Sequence, residues 1–382
     1  MKAITLIPFL FACISPVSAE ETLKITVEKV TPVVAKPKVQ LALLLDTSSS
    51  MDGLIDQART QLWKVVNSFS QVTRDGQTPT IEVALYEYGN DTLSLTSGYV
   101  RQVSPLSTEL DDLSEKLFAL QTNGGTELCG TVIQKALDQL CWDDSPSTYK
   151  AIFIAGNESF RQGNVSADEQ CKLASEHGVI VNTIHCGSER DGISGGWQAG
   201  ALIAKGDFLT IDQDQAIAHI VAPQDKLIIE LSTQLNSTYI PYGQVGKQKK
   251  ENQAAQDNNA YRERSKGAAV GRAITKSSKV YNNASWDMLD FVEESPAGLA
   301  KLQKSDLPSE LKELTLTEQK AYIEKKREER TELQNRINTL NKEREAYIAQ
   351  QKKVQSSKPS TLDQAITKTI HRQVQQSGYS VQ

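Results

Sequence analysis

Along most of the chain, short apolar runs alternate with stretches whose apolar residues recur every three or four positions. Val39 to Leu45 is apolar on both strand faces except at Gln40, the pattern of a strand buried from both sides. Leu54, Ile55, Ala58, Leu62, Val65, Val66 and Phe69 then recur at helical spacing. Thr80 to Tyr88 alternates as a strand, and Tyr99 to Val103 is a short strand expected to run antiparallel to it. Helices are expected over 109–120 and 129–140, followed by the buried strand Ala151 to Ala155. A helix over 168–177, a third buried strand over 179–185, a short helix over 196–204, an edge strand over 208–211 and a closing helix over 225–235 complete the pattern. Strands separated by helices predict an α/β fold, a doubly wound, mostly parallel sheet of the Rossmann-like type, here with a helical C-terminal extension.

Such sheets bind ligands at the carboxyl ends of their strands, where strand order reverses. Three candidate segments sit at such ends: Asp46 with Thr47 to Ser50, Gly156-Asn157-Glu158, and His185-Cys186. Asp46-x-Ser48-x-Ser50 places one carboxylate and two hydroxyls in a tight strand-to-helix turn, all hard oxygen donors of the kind that Mg²⁺ takes. The alternative is a helix N-cap formed by Ser48 or Ser50, with no metal.

The strand–DTSSS–helix unit resembles the von Willebrand factor type A domain, whose metal-ion-dependent adhesion site begins with DxSxS. The family's next ligand is a threonine from a later loop, and Asn123-Gly124-Gly125-Thr126 stands at that point here. The resemblance implies a divalent cation, Mg²⁺, held by Asp46, Ser48, Ser50 and Thr126. It covers about residues 38 to 235 and implies a protein-binding module, not an enzyme, whose cation accepts an Asp or Glu carboxylate from a partner. The family's third element ends a strand in T-D-G, and Gly156 takes the place of its aspartate; Asn157 or Glu158 would then reach the metal through water. The phrases IFIAGNESF and VNTIHCG and the charged helical tail are similar to exported bacterial proteins of this domain type. That second likeness adds to the fold rather than to an activity.

Other chemistry is weaker. Gly192-Ile193-Ser194-Gly195-Gly196 matches G-x-S-x-G, with Asp212 or Asp214 and then His219 in hydrolase order. A nucleophile elbow, however, directly follows a strand, and Gly187 to Asp191 intervene. No Walker-type loop and no basic, aromatic-interleaved face for nucleic acid is present.

Composition changes the picture mainly at the ends. The 382 residues are 39% hydrophobic and 23% charged with a net charge of −5, which implies neither nucleic acid nor an anionic membrane as partner. Lys2, an apolar stretch to Ser15 and Val17-Ser18-Ala19 predict a secretory signal peptide over 1–19, and therefore a periplasmic or secreted protein with no later membrane span. A lipoprotein anchored at Cys13 is the poorer fit, because Phe11 departs from a lipobox. Export permits disulfides, and Cys129, Cys141, Cys171 and Cys186 allow three pairings. Cys129 opens a helix and Cys186 ends a strand at the same sheet edge, so Cys129–Cys186 is the preferred bridge. No Cys/His spacing fits zinc.

The expected organisation is an arm over 20–37, the domain over 38–237, a linker and docking segment over 238–305, and a charged helical region over 306–382. Thr315-Leu316-Thr317-Glu318 reads as a capping box opening a helix to about residue 355. Ile323, Leu333, Ile337, Leu340 and Tyr347 mark a heptad-like seam, interrupted by Lys326, Arg330 and Arg344. It offers either oligomerisation or partner contacts through a coiled coil, as in a metal-free structural scaffold that interacts through this helix, or one stripe packed on the same chain. A last amphipathic helix is expected over 361–378.

Overall fold

In the computed structural model, residues 36–211, 220–262, 267–354 and 362–381 are described. The signal peptide, Cys13, most of the arm, Asp212, Asp214 and His219 lie outside them. The strands are β1 (Lys38–Asp46), β2 (Val72–Thr73), β3 (Thr80–Tyr88), β4 (Val100–Ser107), β5 (Tyr149–Gly156), β6 (Ile180–Cys186), β7 (Phe208–Ile211) and β8 (Ser380–Val381). The helices are α1 (Asp52–Ser68), α2 (Leu110–Phe118), α3 (Cys129–Gln139), α4 (Ala167–Glu176), α5 (Glu189–Ser194), α6 (Trp197–Ile203), α7 (Asp225–Leu235), α8 (Gly246–Arg262), α9 (Gly267–Lys276), α10 (Met288–Glu294), α11 (Leu316–Val354) and α12 (Leu362–Gln376).

Six strands form one sheet in the order β4-β3-β1-β5-β6-β7, parallel except for β4, which runs antiparallel to β3. β1 is central because every residue but Lys38 and Leu43 is buried and both faces are apolar. Gln40, the polar exception, is satisfied: its amide donates to Glu82 Oε2 at 2.7 Å, and its oxygen accepts from the Asp143 N–H at 2.7 Å. Strand order reverses at β1, with β3 on one side and β5 on the other. A crevice is expected outside the carboxyl ends of these strands.

The pleat divides the core in two. Val39, Leu41 and Leu45 face a core shared with α1, α2, α7, α9, α11 and α12. Ala42 and Leu44 face the other, built with α3, α4 and α6. This division corrects the disulfide expectation. Cys129 belongs to the second core and Cys186 to the first, so the sheet separates them. All four described cysteines are free thiols.

The polar stretch read as a linker forms α8 and α9, and residues 36–382 make one compact unit. α9 buries Arg272, whose guanidinium donates to Asp111 Oδ1 at 2.6 Å and Asp257 Oδ1 at 2.5 Å and lies 4.8 Å over the Trp63 ring. These contacts let a polar sequence enter a core, since buried charges persist only when paired.

The capping box is present: the Thr315 N–H donates to Glu318 Oε2 at 2.8 Å. In α11, residues 323, 330, 337 and 344 recur every seven positions and are only 2%, 5%, 0% and 9% exposed. The arginines that interrupt the apolar seam are part of the buried stripe. Arg330 donates to Asp287 Oδ2 at 2.7 Å and Asp290 Oδ1 at 2.9 Å, and Arg344 to Asp225 Oδ1 at 2.7 Å. The stripe offered to a partner helix is therefore covered by this chain itself. In α12, Gln373 ties to Tyr149 Oη at 2.7 Å and to Asn182. β8 then pairs with β2. No described helix is long and apolar enough to cross a membrane.

Candidate metal centre at the carboxyl edge of the sheet

Asp46 is the last residue of β1 and is fully buried. Its Oδ1 accepts from the Ser48 N–H at 2.8 Å, while Oδ2 is buried with no hydrogen-bond partner. Among the described residues no ion pair neutralises it. Burial raises its pKa to about 7, opposed by hydrogen bonds from Ser48 and Asn157 and reinforced by the Glu158 charge.

The turn that follows is fixed from both sides. The Thr47 N–H donates to Tyr88 O at 2.9 Å, and Thr47 O accepts from the Asn123 N–H at 2.9 Å. The hydroxyls of Ser48 and Ser50 stand 3.2 Å apart. Ser48, which precedes the Ser49–Met51 turn, makes no side-chain capping bond, so an N-cap does not account for its hydroxyl. From the end of β5, Asn157 Nδ2 donates to Ser50 Oγ at 3.0 Å, and its Oδ1 is buried without a partner.

The 121–128 loop closes the mouth. Gly125 packs against the Gly89 backbone, so closely that a Cβ there would collide with Gly89 O. Thr126 is exposed at the rim, while the next residue, Glu127, turns inward and is buried. Glu127 Oε2 is also without a partner. Burial, then the Asp46 charge, raises its pKa to about 8, with the Ser48 hydroxyl opposing. A Cβ on Gly89, which adopts φ +76°, would sit 2.7 Å from Glu127 Cγ and 2.8 Å from Asp46 Oδ1. The missing side chain thus leaves the space in which the two carboxyls meet.

Of the residues singled out in sequence, Asp46, Ser48, Ser50 and Asn157 converge, with Glu158 exposed beside them, while Thr126 is exposed on the loop next to Glu127. Sequence reading missed Glu127. An acid directly after a Gly-Gly-Thr turn reads as a surface residue, so no local signal marks it. Among the described residues no three His, Cys, Asp or Glu side chains cluster as a cation site, so any cation here relies on hydroxyl and amide oxygens beside carboxylates. The orphaned buried oxygens of Asp46 and Asn157 and the non-capping hydroxyl of Ser48 fit a hard cation.

Gly156 could not carry the aspartate seen elsewhere: a Cβ there would stand 2.5 Å from Tyr88 Oη, 3.1 Å from the Trp197 ring and 3.2 Å from Asp46 Oδ2. Tyr88 Oη is held in that space by donating to Ala155 O at 2.9 Å. Ser194 ends the six-residue α5, is exposed and donates to Asp191 O at 3.2 Å. It follows no strand, so the nucleophile-elbow geometry is absent.

A doubly wound sheet with an Asp-x-Ser-x-Ser turn at its switch point defines a class. Residues 40–192 match the family model of the von Willebrand factor type A domain. Similar solved structures include proximal thread matrix protein 1 from the mussel byssus with a zinc-occupied MIDAS motif, at 14% identity and TM-score 0.37 over 47% of this chain and 43% of that one. The conserved hypothetical protein BatB from Bacteroides thetaiotaomicron matches at 17% identity and TM-score 0.35 over 46% and 90%. The pilus adhesin SpaC from Lactobacillus rhamnosus GG matches at 12% identity and TM-score 0.36 over 47% and 28%. The match thus spans less than half of the mussel protein and of the adhesin. No curated protein matches the chain.

Proposed function

We propose that this protein is an exported, non-enzymatic binding module that engages a protein partner through a divalent cation, Mg²⁺, at the carboxyl edge of its sheet. Asp46, Ser48, Ser50 and Thr126 would hold the ion, with Asn157 or Glu158 acting through water. The bound ion would supply an electrophilic position for an Asp or Glu carboxylate of the partner. The chain's own residues fix the geometry. The Ser48 N–H orients the Asp46 carboxylate, Asn157 orients the Ser50 hydroxyl, and Thr47 locks the turn between β3 and the 121–128 loop.

The observation that carries this reading is the unpartnered, fully buried Oδ2 of Asp46. An uncompensated buried carboxylate costs several kcal/mol in an apolar setting, and a cation bound there would remove that cost. Calorimetric titration with Mg²⁺ tests it. Wild type should bind and Asp46→Ala should lose at least about tenfold in affinity, the loss expected when 1.4 kcal/mol or more of binding energy goes. Equal binding by the two proteins would end the metal mechanism.

A further inference from the structure

We propose that Glu127 is the second carboxylate of this site, standing in for the aspartate that position 156 lacks. The inference rests on the cation reading above and adds a ligand that the Asp-x-Ser-x-Ser pattern does not contain. Three observations converge on it. Glu127 and Asp46 meet over Gly89, whose absent side chain would touch both. Each carries one buried oxygen with no partner, and Asn157 Oδ1 beside them is a third. Among the described residues neither acid has a Lys or Arg partner in an ion pair, although the same fold pairs its other deeply buried charges: Arg272 with Asp111 and Asp257, Arg330 with Asp287, Arg344 with Asp225.

Two carboxyls buried side by side repel each other unless a cation or a shared proton lies between them. A Glu in such a place has one chemical advantage over Gln: full charge toward a cation. Two carboxylates neutralise a divalent ion, where Asp46 alone would leave one positive charge uncompensated. Hydroxyls and waters then complete the oxygen shell that Mg²⁺ or Mn²⁺ takes. The geometry also explains why Gly156 is tolerated. Tyr88 Oη and Trp197 fill its side-chain space, and the second negative charge arrives from the opposite loop.

The experiment compares wild type, Glu127→Gln and Asp46→Asn in calorimetric titrations with Mg²⁺ and Mn²⁺, with thermal unfolding in EDTA and in excess metal. Glu127→Gln should weaken metal binding about ten- to a hundredfold, a range already reached when only a supporting partner of a metal ligand is lost. In EDTA it should melt no lower than wild type, because Gln buries no charge beside Asp46. The metal-induced rise in Tm should shrink. If Asp46→Asn abolishes binding while Glu127→Gln binds like wild type, the role of Glu127 is wrong and the cation reading stands. If wild type binds neither ion, both fall. Should Glu127→Gln fold poorly, anomalous diffraction from wild-type crystals soaked in Mn²⁺ decides. A Glu127 oxygen in the inner shell, at roughly 2.0–2.2 Å, supports the inference, and its absence overturns it.

Discussion

Gly156 and Tyr88 explain why this site departs from the pattern of the domain family that residues 40–192 match. The phenol of Tyr88 reaches across the sheet to Ala155 O and occupies the volume in which an aspartate at 156 would begin. Gly156→Asp should therefore not repair the site. We expect a loss of about 1–3 kcal/mol in urea unfolding from overpacking alone, and Mg²⁺ affinity no better than wild type. A stable variant with tighter binding would show that Tyr88 yields easily and that the steric argument fails. At this scale the sequence was legible for Asp46, Ser48 and Ser50, because a buried strand that ends in oxygens is unusual. Glu127 was not legible, because burial of a loop acid depends on Gly125 lying against Gly89, a contact between segments 36 residues apart that no local pattern records.

The elements divide into those whose periodicity decides their state and those that packing decides. β1 and β5 were readable because both faces are largely apolar, and α2, α3, α4 and α7 because one stripe is. α8 was not, since its buried Gln253 and Gln256 look like surface residues until Tyr281 and Ser114 are seen bonding them. The same cause hid the meaning of α11, where Arg330 and Arg344 read as interruptions of a seam and are part of it. Arg330 separates the two views. It is buried, bonded to Asp287, Asp290 and the Thr238 carbonyl, and lies 4.0 Å over the Tyr239 ring. Arg330→Ala should destabilise by about 3–5 kcal/mol, because it strands Asp287 without its partner. Arg327→Ala, one turn away, removes only a surface i,i+3 pair with Glu324 and should change stability by less than about 0.5 kcal/mol. Equal effects in urea titrations would return α11 to the status of a solvated tail.

At the scale of the molecule, the C-terminal extension acts as part of the domain's core rather than as an appendage. α12 lies on α1 and the β7 edge, its Ile366, Ile370 and Val374 buried in the core that contains Phe69 and Tyr149. Tyr379 then donates to Lys38 O at 2.7 Å, so the end of the chain is bonded to the first residue of β1. With Ile323 and Ile337, deletion of residues 316–382 removes five fully or nearly buried aliphatic side chains. At about 1.5–3 kcal/mol each, they amount to on the order of 10 kcal/mol, comparable to the whole net stability of a typical domain. The deletion also leaves the buried Asp287 without Arg330 and Asp225 without Arg344. We therefore expect full-length protein to unfold in one cooperative transition that carries the sheet and α11 together. The chain ending at residue 315 should bind a hydrophobic dye, lose its near-ultraviolet circular dichroism and show no sharp melt. A truncated protein that melted sharply, within about 2 kcal/mol of full length, would show that the chain up to residue 315 folds without α11 and α12 and that these helices are free to act elsewhere. The cation site would be affected with the core, since α1 begins one turn beyond Asp46 and packs on its other side against α9 and α12. Loss of Mg²⁺ binding in the truncated chain, measured beside its circular dichroism, should therefore track loss of tertiary structure rather than precede it.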